Sequence, residues 1–293
     1  MSDQAQPEAK RITPANLLVA TAIVIVIQTA ALLITSQNIP VYISVVAATG
    51  PSYAPAGTSI AGSAINAVLL VAFAFVLTLA LVWLLRRKMV LPFKVLIFGS
   101  VAFSAFILTL VTAGQFAYDY LPPDLALVVA YGVPAAVLAA IGYVIFVRNV
   151  SWVATVTLAF VGAEVGSFFA ETLPTWTALA LPIAFAVYDI YAVFRGPLKA
   201  LVGTNQGIAL VGMSIKAGEF TLGLGDVVFY TMLPSLAFFQ FYQGFGALPA
   251  LLTMAAIDVG MVITLFLLSK RRLLPGLPIP MLLGVLVILR YLA

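Results

Sequence analysis

Long apolar stretches, each close to the length of a bilayer crossing, alternate along this chain with short segments that carry charges, prolines or glycines. A helix needs about 20 mostly apolar residues to cross the hydrocarbon core of a membrane. By that measure the pattern predicts nine spans, at 17–35, 64–85, 92–113, 125–147, 152–170, 174–194, 224–242, 249–268 and 273–292. The last is the weakest, because Pro275, Pro278 and Pro280 interrupt its start and leave a short helix. The first follows Lys10 and Arg11 as a secretory signal would. Its apolar run is longer than the roughly 7–15 residues of such a signal, which predicts a retained helix. No soluble domain, low-complexity tract or internal repeat stands out. The expected fold class is an all-α polytopic membrane protein with nine transmembrane helices.

The basic residues test that count. Lys10 and Arg11 precede the first span, and Arg86, Arg87, Lys88 and Lys94 separate the second from the third. Arg148 lies between the fourth and fifth, Arg195, Lys199 and Lys216 between the sixth and seventh, and Lys270, Arg271 and Arg272 between the eighth and ninth. With a cytoplasmic N-terminus all of these fall inside, and only Arg290 falls outside, as the positive-inside rule requires. Asp119, Asp124 and Glu171 are then expected in outer loops. The chain divides at its most basic long connection into a six-helix part (1–195), a cytoplasmic connection (196–217) and a three-helix part (218–293).

Composition narrows the chemistry. Of 293 residues 63% are apolar and 8% charged, whereas a soluble domain is about 45–50% apolar and about 25% charged. The net charge of +4 reflects orientation on an anionic leaflet, and nucleic acid is excluded as a partner. There is no Cys and no His. Disulfides, thiolate nucleophiles, Ser-His-Asp triads and the usual zinc sites are therefore excluded, and neither a metal nor a cofactor is expected. Any chemistry falls to carboxylates, Lys, Arg, Tyr, hydroxyls or backbone.

Ten acidic residues are present, and four of them, Glu164, Asp189, Asp226 and Asp258, fall inside predicted spans. A charged acid at the centre of a bilayer costs about 2.5–3.5 kcal/mol even on lenient scales, so each demands a reason. Asp189 lies six residues before Arg195, about 9 Å from the cytoplasmic edge. Asp226, in a helix expected to start near Gly218, lies about 12 Å deep. These two carboxyls are expected at one level on sequential antiparallel spans. Glu164 and Asp258 fall about 18 Å and about 15 Å into their own helices, near the midplane, where they form a second candidate pair.

Two carboxyls held together in a low dielectric share one proton, and such a pair acts as base and acid on a single water. The run Gly223-Leu224-Gly225-Asp226 allows close approach: Gly223 sits three residues before the acid on one helical face, and Gly225 frees the adjacent backbone. Small-residue helix packing explains the same run equally well when it is taken alone.

Three local patterns occur in order: Tyr188-Asp189 in the sixth span, Gly223-Leu224-Gly225-Asp226 at the start of the seventh, and Pro275-Gly276-Leu277-Pro278 opening the ninth. Together they resemble the presenilin and signal-peptide-peptidase family of intramembrane aspartyl proteases. That family has nine helices, a YD motif on the sixth, a GxGD motif on the seventh and a Pro-Ala-Leu motif before the ninth. The resemblance implies that Asp189 and Asp226 are the catalytic pair, and that Pro275, Gly276 and Leu277 shape the site and contact substrate. Gly276 stands where the family has Ala. The connection from Arg195 to Lys216 is too short for the loop at which presenilins are cut. The chain looks like the single-chain archaeal and signal-peptide-peptidase members, and needs no maturation cleavage.

The implied activity is hydrolysis of peptide bonds within transmembrane segments or signal peptides, in the cell membrane, by an aspartyl dyad and water. The implied partners are a transmembrane peptide or membrane-protein substrate and the bilayer; assembly into oligomers is left open. A helical substrate must unwind before its carbonyl can be attacked, and the freed backbone needs partners in lipid. The apolar, partly β-branched run 207–213 is expected to offer a strand edge, with 275–277 on the other side. Tyr188 is a candidate to orient Asp189 through its hydroxyl. The alternative from another class is a proton- or cation-coupled transporter, which would use Glu164 and Asp258. A prepilin-peptidase-type enzyme also carries GxGD, but has fewer spans and lacks the other two patterns.

Overall fold

The computed structural model describes residues 13–50, 53–147, 151–195, 214–217, 220–270 and 274–293. Among these lie nine α-helices: α1 (Pro14–Thr49), α2 (Ile60–Arg86), α3 (Val90–Tyr120), α4 (Pro123–Gly142), α5 (Ser151–Thr172), α6 (Thr175–Phe194), α7 (Leu224–Phe245), α8 (Leu248–Lys270) and α9 (Pro278–Leu292). A π-helical turn, Tyr143–Val147, extends α4. Two short strands, β1 (Ser214–Ala217) and β2 (Phe220–Gly223), form an antiparallel hairpin between α6 and α7. Eight of the helices are long and apolar enough to cross a membrane, and α9 is a shorter apolar helix.

α9 begins at Pro278, later than the expected 273, for a reason already in its sequence. Proline suits a first turn, where no intrahelical N–H is needed. Pro278 and Pro280 both occupy that first turn, and the 15 residues of α9 rise only about 22 Å. α1 departs in the other direction, running 36 residues through Ser36, Gln37, Asn38 and Pro40 instead of stopping at 35. Its polar positions find partners on α3: Asn38 Nδ2 donates to Thr112 Oγ1 at 3.0 Å, and Gln37 Nε2 to the Tyr120 hydroxyl at 3.4 Å.

The helix carrying Asp226 is the centre of the bundle. α7 is buried from Phe229 to Ala237 without interruption, and packs against α1, α5, α6, α8 and α9. Its closest neighbour is α5, through Gly162 and Gly166. A methyl at Gly166 would collide with the Thr231 hydroxyl and lie 2.7 Å from the Val228 carbonyl oxygen, while one at Gly162 would lie 2.8 Å from Val227 Cγ1. Only bare glycine lets the two backbones approach this far, the device by which helices pack where lipid offers no hydrophobic drive. The Thr231 hydroxyl crosses this contact to the Gly162 carbonyl at 3.2 Å. Large apolar side chains such as Leu18, Phe73, Phe103 and Val128 point outward, as lipid-facing positions should.

Two sequence expectations about acids change. None of the three acids expected in outer loops lies in one: Asp119 is in the last turn of α3, Asp124 in the first turn of α4, and Glu171 in the last turn of α5, 2% exposed and accepting from Ser167 Oγ at 2.7 Å. Ser167 in turn meets Thr35 of α1 at 2.7 Å, so the helix is prolonged by a polar contact that hydropathy alone does not register. Glu164 and Asp258 do not share partners. Glu164 accepts from Thr109 of α3 at 2.7 Å, whereas Asp258 faces Gln28 of α1.

Candidate active site

Asp189 and Asp226 are placed by two helices locked together beneath them. Phe185 of α6 and Phe229 of α7 meet ring to ring at 4.9 Å. Phe185 is four residues before Asp189 and Phe229 three after Asp226, so on each helix the ring and the carboxyl share a face. The aromatic contact therefore turns both acids toward the same space. Both are half-buried, and their carboxyls are near enough to interact electrostatically.

The segment before α9 closes that space. Asp189 Oδ2 accepts the Leu277 N–H at 3.1 Å. The neighbouring residue, Gly276, lies against the other acid: a Cβ built on it would sit 3.3 Å from Asp226 Oδ2 and 3.5 Å from Cγ. One dipeptide, Gly276-Leu277, thus lies beside both carboxyls. Pro275 and Leu277 are buried beside it, which fixes the segment from below. Tyr230, one turn after Asp226 on α7, donates its hydroxyl to the Gly276 carbonyl at 3.1 Å. Sequence reasoning missed Tyr230; its signal was the four-residue spacing from Asp226, which puts both on one helical face.

Gly223 and Gly225 serve differently from expectation. Gly223 precedes α7 in extended conformation, and its N–H donates to Asp226 Oδ2 at 3.3 Å. A Cβ there would lie 3.2 Å from the same oxygen. The room it leaves is filled by the acid's own carboxyl rather than by a partner helix. Gly225 lies within α7, without a positive φ, and a Cβ there would meet nothing within 4 Å. Leu224 packs toward α5, its Cδ1 3.4 Å from a Cβ at Gly162. Tyr188 points away: its hydroxyl donates to Thr78 Oγ1 of α2 at 3.2 Å, and its ring stacks edge-on against Phe75 and Phe185, so it does not orient Asp189 by hydrogen bond.

The depth of Asp226 is also reached in another way. α7 starts at Leu224, not near 218, so the acid sits in the first helical turn and the chain reaches it as strand β2. In the hairpin Lys216 faces Thr221. The Lys216 N–H donates to the Thr155 hydroxyl of α5 at 3.3 Å, and its carbonyl accepts from that hydroxyl at 3.5 Å. Both groups therefore turn away from β2. In an antiparallel pair the opposite residue then turns its own N–H and carbonyl away from β1, which puts those of Thr221 on the outer edge of β2. The run 207–213 lies outside the described residues.

Among the described residues no group of three or more Asp, Glu, His or Cys side chains could hold a metal ion. The presenilin sequence profile matches residues 8–208, about two thirds of the chain. The chain belongs to the presenilin family. The matched stretch contains α1 to α6 and Tyr188-Asp189, while Asp226 and 275–277 lie beyond its end. Presenilin-B of Dictyostelium discoideum is 39% identical over 124 residues, 39% of this chain and 25% of that protein. The chain thus matches about a quarter of the length of this relative. A presenilin family intramembrane aspartate protease solved in two crystal forms has the same fold, with TM-scores of 0.62 and 0.60 at 22% identity. The alignments cover 94% of this chain and 99% and 97% of those chains. This presenilin-family chain is a multi-pass membrane protein.

Proposed function

We propose that this presenilin-family protein is an intramembrane aspartyl endopeptidase of the cell membrane, acting on transmembrane segments of membrane proteins or signal peptides, with Asp189 and Asp226 as its catalytic pair. The observation that carries the reading is the convergence of both carboxyls on Gly276-Leu277, Asp189 by a 3.1 Å hydrogen bond and Asp226 so near that a Cβ on Gly276 would meet it at 3.3 Å. Paired acids on separate helices, held by a third backbone segment, are what water activation without His, Cys or metal requires.

In the reaction the ionised carboxylate takes a proton from water while the resulting hydroxide adds to the scissile carbonyl carbon. The protonated partner gives its proton to the carbonyl oxygen, producing a tetrahedral diol. The carboxyl that now holds the proton gives it to the departing nitrogen while the other carboxylate takes a proton from a diol hydroxyl, so the C–N bond breaks and leaves a carboxylic acid and an amine. The pair carries one proton before and after, and titrates as a unit.

An unwound substrate adds to the outer edge of β2, where Thr221 presents both an N–H and a carbonyl five residues before Asp226. This places the extended backbone at the carboxyls and satisfies groups that lipid cannot. The transporter reading loses its main support, because Glu164 and Asp258 are engaged with different helices and build no common site.

The direct test is cleavage of a single-span substrate by purified protein. Asp189→Asn and Asp226→Asn each abolish cleavage while the variants remain folded by circular dichroism and gel filtration. Full activity in either variant overturns the assignment.

A further inference from the structure

Asp258 and Gln28 take no part in the chemistry above, yet both are polar groups held inside the helix bundle. Gln28 of α1 is 0% exposed, and its Nε2 donates to the backbone carbonyl of Tyr230 at 3.3 Å. That carbonyl is short of a donor for a reason written in the sequence. In an α-helix it would accept from the N–H four residues on, and that residue is Pro234, which has none. Gln28 supplies from another helix the hydrogen bond that Pro234 removes. The Asp258 carboxyl of α8 faces the same amide side chain. The other end of Tyr230 is its hydroxyl, which grips the Gly276 carbonyl at 3.1 Å.

We infer that Asp258, Gln28 and Tyr230 form a brace that positions Gly276-Leu277 against the two catalytic carboxyls, with Gln28 standing in for the amide missing at Pro234. The inference rests on the protease reading. None of the three touches substrate; they act through the dipeptide. An unheld Tyr230 carbonyl lets the turn of α7 around Tyr230 shift, and the hydroxyl at its tip moves with it. The Leu277 N–H then no longer meets Asp189 in one place. Loss of the brace slows the chemical step and leaves substrate docking on β2 untouched.

The test is a set of variants in the full-length purified protein, assayed for kcat and KM on a single-span substrate. Wild-type cleavage establishes the parent reading independently; without it the protease assignment itself fails. Tyr230→Phe, which removes one hydroxyl and little volume, lowers kcat about tenfold with KM within twofold. Gln28→Leu does the same. Pro234→Ala restores an N–H to the Tyr230 carbonyl and makes Gln28 dispensable, so Gln28→Leu combined with Pro234→Ala recovers kcat to within about threefold of Pro234→Ala alone. Thermal melts in detergent identify any variant that fails to fold, and Tyr230→Phe then decides between the outcomes. An unchanged kcat in Tyr230→Phe, a rise in KM alone, or a double variant no better than Gln28→Leu overturns the inference.

Discussion

If substrate pairs with the outer edge of β2, removing one N–H from that edge must impair cleavage without unfolding the hairpin. Thr221→Pro does this. The Thr221 N–H points away from β1, so its loss breaks no rung of the hairpin, and proline is tolerated at such edge positions. The substrate carbonyl that would have accepted this N–H is left without a partner in a lipid-bounded site. An unsatisfied buried acceptor costs about 1–3 kcal/mol. At about 1.4 kcal/mol per decade, kcat/KM falls roughly 5- to 140-fold. Thr221→Ala retains the N–H and is the control, expected within about twofold of wild type. The assay is cleavage of a single-span substrate in detergent micelles, with hairpin and bundle integrity followed by thermal melting. Equal kcat/KM in the two variants, both folded, refutes strand addition at β2.

The glycine contact between α5 and α7 gives a graded stability prediction. Gly166→Ala drives a methyl against helix backbone and the Thr231 hydroxyl and costs about 1–3 kcal/mol, whereas Gly162→Ala meets the movable Val227 side chain and costs less. Melting temperatures in the reverse order would contradict the packing. Tyr188→Phe removes only the hydroxyl bonded to Thr78 and leaves cleavage within about threefold of wild type. Abolished activity in that variant would show that the hydroxyl serves the carboxyls after all.

How much of this is legible in the sequence depends on the kind of interaction involved. The nine apolar stretches and the two acids at the ends of facing helices follow from hydropathy and spacing, which are local. The long reach of α1 and the burial of Glu171 do not, because each depends on a hydroxyl or amide supplied by a different helix. The glycines divide. Gly223 reads as a place of close approach and is one, but what comes close is the side chain of Asp226 itself. Gly162 and Gly166, which set the height of α7, do not stand out, because a four-residue spacing of small residues is common in lipid. Tyr230 and Gln28 are invisible as a pair. Their connection runs through a carbonyl that becomes available only because of Pro234, and the donor sits 202 positions away in the chain.

If Asp189 and Asp226 form a single site, ligand binding reports it without the need for turnover. A transition-state-mimicking aspartyl-protease inhibitor, titrated calorimetrically into the purified protein, is expected to bind one per chain and to lose that binding in Asp189→Asn and in Asp226→Asn alike. Undiminished affinity in either folded variant would mean that the two carboxyls do not grip one group and are not a catalytic pair.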